Sequence, residues 1–135
     1  MSLLHWADEY SVGIESFDND HKKLIMILNK LFDALSKGEA QNLIFTIVME
    51  LKDYTQYHFN SEEDAFLKHL YPDYESHKDL HDNFLKKIKD FELNYVNKPQ
   101  VLAIPVFNLL MSWIKEHIQK VDKNYSNFLK NKGMK

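Results

Sequence analysis

Two pairs of ligand-type side chains at helical spacing, His58/Glu62 and His77/His81, constrain this chain more than any other feature. Residues four apart on an α-helix share one face, about 6 Å apart along the axis at roughly 1.5 Å rise per residue. The apolar residues around each pair recur with the same period, so each pair points to the buried face of a helix. His21 and the pair His117/Asp122 lie on similar apolar stripes. A buried Glu62 without a positive partner would carry a large desolvation cost. These residues on four inward faces predict helices packed around a metal cluster.

The predicted fold is all-α: an up-down-up-down antiparallel four-helix bundle with an extended N-terminal arm, in one domain over residues 1–135. The arm, residues 1–17, carries Trp6, Tyr10, Val12, Ile14 and Phe17 without helical periodicity, and precedes a bundle over residues 18–130. The first helix is expected to start near Asp18 to Asp20, whose side chains can cap it, and to end at Lys37-Gly38. It turns His21, Leu24, Ile25, Leu28, Phe32 and Leu35 inward. The second runs from about Gln41 to His69, with Ile44, Ile47, Leu51, Tyr54, His58, Glu62 and Phe66 inward. Tyr71-Pro72 breaks it. Asp73 can cap a third helix that buries His77, His81, Phe84, Leu85, Ile88, Phe91 and Tyr95. The fourth begins between Gln100 and Pro105, because a proline is tolerated in a first turn. Its stripe is Val106, Leu110, Trp113, Ile114, His117, Val121, Tyr125 and Phe128.

Register supports the cluster. From a turn centred near Glu39, His21 lies 18 residues before and His58 19 after, which puts them level in an antiparallel hairpin. The pairs His77/His81 and His117/Asp122 match in the same way across a turn near Lys98. His117 and Asp122 are five apart, roughly 140° around an ideal helix, so Asp122 must reach around or the helix must distort. Of the remaining candidates, Glu63 and His5 read as solvated. His69 falls about 10 Å beyond Glu62 along the axis and reads as a helix C-terminal cap.

Composition removes several classes. The chain has no cysteine, which excludes thiolate zinc sites, iron–sulfur clusters and disulfides and fits a reducing, cytoplasmic compartment. Net charge is -3 with no basic patch, so nucleic acid is not an expected partner. The N-terminal stretch lacks the basic start and apolar core of a signal peptide. The longest apolar run, Val101 to Ile114, is interrupted and shorter than the roughly 18 residues a membrane span needs.

Donor counting suggests what the cluster holds. Five neutral imidazoles, two bridging carboxylates and one solvent-derived oxide or hydroxide would saturate one of two ions and leave one open position on the other. Mixed imidazole and carboxylate donors suit iron, without excluding zinc, manganese or cobalt. With two ferrous ions, uptake of dioxygen as hydroperoxide leaves the formal charge of the buried site unchanged at about +1.

The ordered set His21, His58-x-x-x-Glu62, His77-x-x-x-His81 and His117-x-x-x-x-Asp122 resembles the haemerythrin signature. Trp6, the run Tyr10 to Ile14, Asp18, Asp20-His21-Lys22 and the segment Trp113 to Ile118 are similar to the family pattern too. The resemblance implies reversible binding of dioxygen, as hydroperoxide, at two iron ions with an oxo or hydroxo bridge. It assigns His77, His81 and His117 to the six-coordinate iron, His21 and His58 to the oxygen-binding iron, and Glu62 and Asp122 to the bridges. It also implies an oxygen pocket walled by Leu24, Ile25, Phe59, Trp113 and Ile114, which denies water and protons to the bound ligand. The implied function is oxygen transport, storage or buffering without catalysis, with nitric oxide or small anions as further ligands. The competing readings are a di-iron enzyme, a nitric-oxide- or iron-handling protein, an oxygen- or redox-sensing module acting through a separate partner, and a structural metal module. No proton donor is evident beside the cluster in the sequence, which weighs against an enzyme.

Overall fold

The computed structural model describes residues 3–135, so Met1 and Ser2, at the tip of the expected arm, lie outside the described residues. A short 3-10 turn at Asp8–Tyr10 is followed by α1 (Glu15–Ser36), α2 (Ala40–His69), α3 (Tyr74–Asn94) and α4 (Pro99–Ser112). A π-helical segment, Trp113–Val121, continues α4 and leads into α5 (Lys123–Asn131). The described residues contain no strand. The central element is α2, which packs against α1, α3 and α4.

The interior is two apolar clusters with histidines between them. Leu24, Leu28, Ile44, Leu51, Phe59, Val106 and Ile114 belong to one cluster. Val12, Ile14, Phe17, Phe66, Tyr125 and Leu129 belong to the other. His58 contacts Phe17 from the second cluster and Phe59 from the first. On the opposite side His77 meets Phe66 and Tyr125, while His81 meets Phe59 and Trp113. Each fully buried Leu, Ile or Phe contributes about 1.5–3 kcal/mol. A polar layer held between two such clusters has its side chains fixed by packing.

The stripes are largely those expected, with small rotations and with Leu85, Phe91, Tyr95, Val121 and Phe128 only half-buried. In α1, Leu31 and Ala34 are buried, whereas Phe32 and Leu35 are only half-buried. In α2, Thr55 takes the inner position and Tyr54 stays at the rim with its hydroxyl turned to Asp20. Lys37 and Gly38 end α1, with Gly38 at φ 70, a conformation open to glycine. Leu70, in the left-handed region at φ 59, ends α2, and Tyr71 N–H bonds the Phe66 carbonyl to close that end.

Several expectations are corrected. The first helix starts at Glu15, ahead of Asp18 to Asp20, and neither aspartate caps it. Gly13, at φ 74, turns the chain into the helix, and the Asp18 N–H bonds the Ile14 carbonyl. The Asp18 carboxylate reaches back instead and accepts from Val12 N–H at 2.8 Å and the Ser11 hydroxyl at 2.6 Å. Asp73 occupies the position before α3 but accepts the His77 N–H through its carbonyl, not its side chain. The fourth helix begins at Pro99, so the proline suited to a first turn is Pro99, and Pro105 lies inside the helix. The apolar stretch is also longer than expected. Val101–Val121 is a continuous helix of 21 residues with mean hydropathy 1.2, enough by length and composition to cross a membrane. Its inner side, Leu102, Ala103, Val106, Leu110 and Ile114, is packed into the core.

The segment before α1 is tied down by named contacts. Leu3 and Leu4 N–H groups donate to Asn29 Oδ1, whose amide returns a bond to the Leu4 carbonyl at 2.8 Å. Removing the Asp18 acceptor leaves Val12 N–H unpaired in a part-buried turn, a change costing about 1–3 kcal/mol. Asp18→Ala is therefore expected to lower the unfolding midpoint in a denaturant titration with helix content unchanged. An unchanged midpoint would show that this clasp does not hold the segment.

Candidate metal centre

Five imidazoles and two carboxylates converge in the buried layer: His21, His58, Glu62, His77, His81, His117 and Asp122 are each at most 4% exposed. α1 supplies His21, α2 supplies His58 and Glu62, and α3 supplies His77 and His81. The π segment and the residue after it supply His117 and Asp122. All the residues expected at the cluster are brought together there. Level pairing holds in detail, with His21 Nε2 2.9 Å from His58 Nε2 and His117 Nε2 3.2 Å from His77 Nε2.

The problem of five-residue spacing is solved by backbone distortion. Over Trp113–Val121 the helix adopts the wider π turn, and the Asp122 N–H bonds the His117 carbonyl at 2.8 Å. An i→i+5 bond stacks residues five apart, so Asp122 returns to the face that His117 occupies. Asp122 Oδ1 then lies 2.9 Å from His117 Nε2 and 3.1 Å from His77 Nε2, and its Oδ2 lies 3.2 Å from His21 Nε2. Glu62 divides its oxygens in the same way. Oε1 is 3.1 Å from His81 and 3.5 Å from His77, and Oε2 is 3.2 Å from His58 and 3.7 Å from His21.

The donor set fits a pair of cations. Two groups of ligand atoms each lie within 4.8 Å of one another: Glu62 with His77, His81 and His117, and His21 and His58 with Glu62 and Asp122. Among the described residues, Glu62 Oε1, Asp122 Oδ1 and His81 Nε2 are buried without a well-aligned hydrogen bond, although imidazole nitrogens or carboxylate oxygens lie near them. An unmade bond at a buried polar atom costs about 1–3 kcal/mol, more for a charged one, so these inward-facing lone pairs are arranged for something besides one another.

Charge pairing holds the cluster when no cation is bound. Burial alone would lower the His58 pKa, but Glu62 and the hydrogen bonds to Asp20 and Glu62 push it up to about 10. Burial likewise opposes His77, which contacts with Asp122 and Glu62 push up to about 9. His117 moves down, chiefly through burial and with His77 beside it. Burial would raise both carboxylates, yet their histidine partners hold Glu62 and Asp122 below the usual carboxylate range.

The surroundings add groups that sequence reasoning missed. Tyr125, expected only as part of an apolar stripe, donates its hydroxyl hydrogen to Glu62 Oε2 and is fully buried, so a hydrogen-bond donor does stand beside the cluster. Its spacing from Asp122, one turn of α5, was the available signal. Glu63, expected in solvent, accepts from His81 Nδ1 at 2.8 Å. Asp20, expected as a cap, lies 2.9 Å from His58 Nδ1. His5 is exposed as expected, and His69 lies in the last turn of α2, near the carbonyl end of the helix. Of the expected pocket wall, Leu24, Ile25 and Ile114 are buried in the first apolar cluster. Phe59 stacks on His81 with centroids 4.0 Å apart, and Trp113 on His117 at 3.6 Å. These two rings therefore pack on the three-histidine side, although Phe59 also reaches within 6.2 Å of His58.

The fold and the cluster together define a class: helical proteins with a buried histidine–carboxylate centre able to hold two metal ions. Within that class the chain belongs to the hemerythrin family, because the Hemerythrin HHE cation binding domain matches residues 12–129. It is 36% identical over 124 residues to a bacteriohemerythrin of Clostridium acetobutylicum, covering 89% of this chain and 96% of that protein. A bacteriohemerythrin of Pseudomonas aeruginosa is 30% identical over 125 residues, covering 93% and 80%. A crystal structure of a hemerythrin variant superposes with a TM-score of 0.85 at 29% identity, covering 96% of this chain and 98% of that one. The resemblance read from the ligand pattern is borne out.

The shifted pKa values predict how the metal-free protein responds to pH. His58 and His77 have raised values, so their contribution is complete below the ordinary 6.5 and is lost as pH rises through about 9 to 10. Glu62 and Asp122 have lowered values, so theirs is present above the ordinary 4.5 and 3.8 and is lost on acidification. The melting temperature of metal-free protein is therefore expected to peak between about pH 4.5 and 6.5 and to fall steadily towards pH 10. Calorimetry across that range checks it, and a flat alkaline limb would contradict the pairing.

Proposed function

We propose that this protein binds dioxygen reversibly at a non-haem di-iron centre and serves oxygen transport, storage or buffering, without turning over a substrate. The observation that carries the reading is the division of two carboxylates between unequal sets of histidines. Glu62 and Asp122 each present one oxygen towards His77 and its neighbours and one towards His21. His77, His81 and His117 would hold one iron, His21 and His58 the other, and Glu62 and Asp122 would bridge them with an oxide or hydroxide. When bound, the iron pair supplies the two electrons that hold dioxygen reversibly. Three imidazoles against two leave the His21/His58 side short of a protein ligand, which is where a small molecule enters. Family membership supports iron over zinc or manganese.

The remaining work belongs to the chain. Leu24, Ile25, Phe59, Trp113 and Ile114 exclude water from the centre; all are buried in one cluster. The frame is proposed as a single domain, an up-down-up-down antiparallel four-helix bundle with the N-terminal segment as an arm across it. A cytoplasmic setting agrees with a chain free of cysteine. Nitric oxide and small anions fit the same open position.

One observation favours a second reading. The Tyr125 hydroxyl, in direct contact with Glu62, is a proton donor that a di-iron oxidase could use. Anaerobic ferrous loading followed by air and then purging separates the two. A visible absorption band that rises in air and falls on purging supports the carrier; irreversible oxidation with product formation supports the enzyme. His117→Ala is expected to abolish the band, and a retained band would overturn the ligand assignment. Ile114→Ala opens a cavity worth about 2–5 kcal/mol of stability and is expected to shorten the lifetime of the oxygenated protein by admitting water. An unchanged lifetime would remove Ile114 from the wall.

A further inference from the structure

Two imidazoles are backed by carboxylates that stand outside the cluster. His58 Nδ1 lies 2.9 Å from Asp20 Oδ2, and His81 Nδ1 lies 2.8 Å from Glu63 Oε2. In contrast, His21 Nδ1 is buried with no hydrogen-bond partner among the described residues. Asp20 is itself anchored, because its other oxygen accepts from the Tyr54 hydroxyl at 3.0 Å. Asp20 and Glu63 are 10% and 14% exposed at the side chain, so both bonds are largely shielded from water.

Both supports follow one geometric rule. Asp20 precedes His21 in α1, and Glu63 follows Glu62 in α2. Successive residues on a helix point about 100° apart, so when one faces the cluster its neighbour faces the flank. There it meets a histidine from the adjoining helix: Asp20 of α1 meets His58 of α2, and Glu63 of α2 meets His81 of α3. An ionised carboxylate only accepts hydrogen bonds, so it holds the Nδ1 proton and, when a cation is bound, directs the Nε2 lone pair inward. That choice matters here, since it is Nε2 of both rings that lies close to Glu62.

We propose that Asp20 and Glu63 are positioning residues, one for each metal subsite, with Asp20 orienting His58 beside His21 and Glu63 orienting His81 beside His77 and His117. The inference rests on the two-ion reading above and assigns each half of the centre its own control. An anchored carboxylate behind a ligating histidine fixes the ring and makes it a stronger donor. Asp20, held by Tyr54, is the more rigid of the two. The centre is thus tuned unequally, and the two sides can be weakened separately.

Cobalt(II) binding to the metal-free protein tests this without reference to oxygen. The wild type is expected to take two ions. Asp20→Asn and Glu63→Gln keep shape but lose acceptor strength, and each is expected to weaken one ion by about 10–100-fold while sparing the other. A double-mutant cycle assigns the side. Asp20→Asn is expected to add nothing in a His58→Ala background yet to act fully in a His81→Ala background, with Glu63→Gln the mirror image. Cobalt ligand-field bands report the change in donor strength, and melting of the metal-free variants reports folding. Unchanged affinity for both ions overturns the proposal. So does an equal loss at both sites with a lowered melting temperature, the mark of a purely structural role. A wild type that takes up fewer than two ions overturns the two-ion reading itself, and the proposal with it.

Discussion

Everything in this molecule answers to two carboxylates held in a dry interior. Glu62 and Asp122 have no exposure to speak of, yet burial has not neutralised them, because five imidazoles surround them. Neither carboxylate could remain ionised alone in such a place. Their oxygens are shared across the cluster, so no helix can slide past another without separating a charge from its partner. The histidine layer therefore fixes the register of the four helices that contribute to it. The apolar clusters on either side supply most of the burial energy, but an apolar core tolerates repacking in a way that a charged lattice does not.

Much of this was legible in the amino-acid order. Spacings of four along α2 and α3 placed His58, Glu62, His77 and His81 on inward faces. Counting residues back from the loops put His21 level with His58, and the two rings touch. What the pattern could not show is what lies beside a residue of the cluster. Glu63 and Asp20 are charged residues next to inward-facing ones, and periodicity alone reads such residues as solvent-facing or as caps. Only the crossing of neighbouring helices turns them towards His81 and His58. Tyr125 was read as one more aromatic in a stripe, because nothing in a one-dimensional pattern distinguishes a buried phenol that packs from one that also donates.

The ends of helices were read least well. Asp18 resembles a capping residue, but its carboxylate is used to fold the preceding turn back onto the helix. Proline rules put the start of the fourth helix between Gln100 and Pro105, whereas it begins at Pro99 and takes Pro105 inside, where the lost bond would have gone to the carbonyl of Val101, a solvent-exposed residue.

The wide-turned π stretch between Trp113 and Val121 has a consequence for motion. A π-helical turn is less well bonded than an α-helical one, and it persists where something else stabilises the conformation. Here that stabiliser is the demand that Asp122 share a face with His117. Slackening the cluster would remove the reason for the wide turn and favour a return to α-helical winding. Such a rewinding would rotate α5 as a unit, and with it Ser126, whose hydroxyl grips the Val12 carbonyl. The state of the buried centre would then be felt where α5 meets the turn before α1.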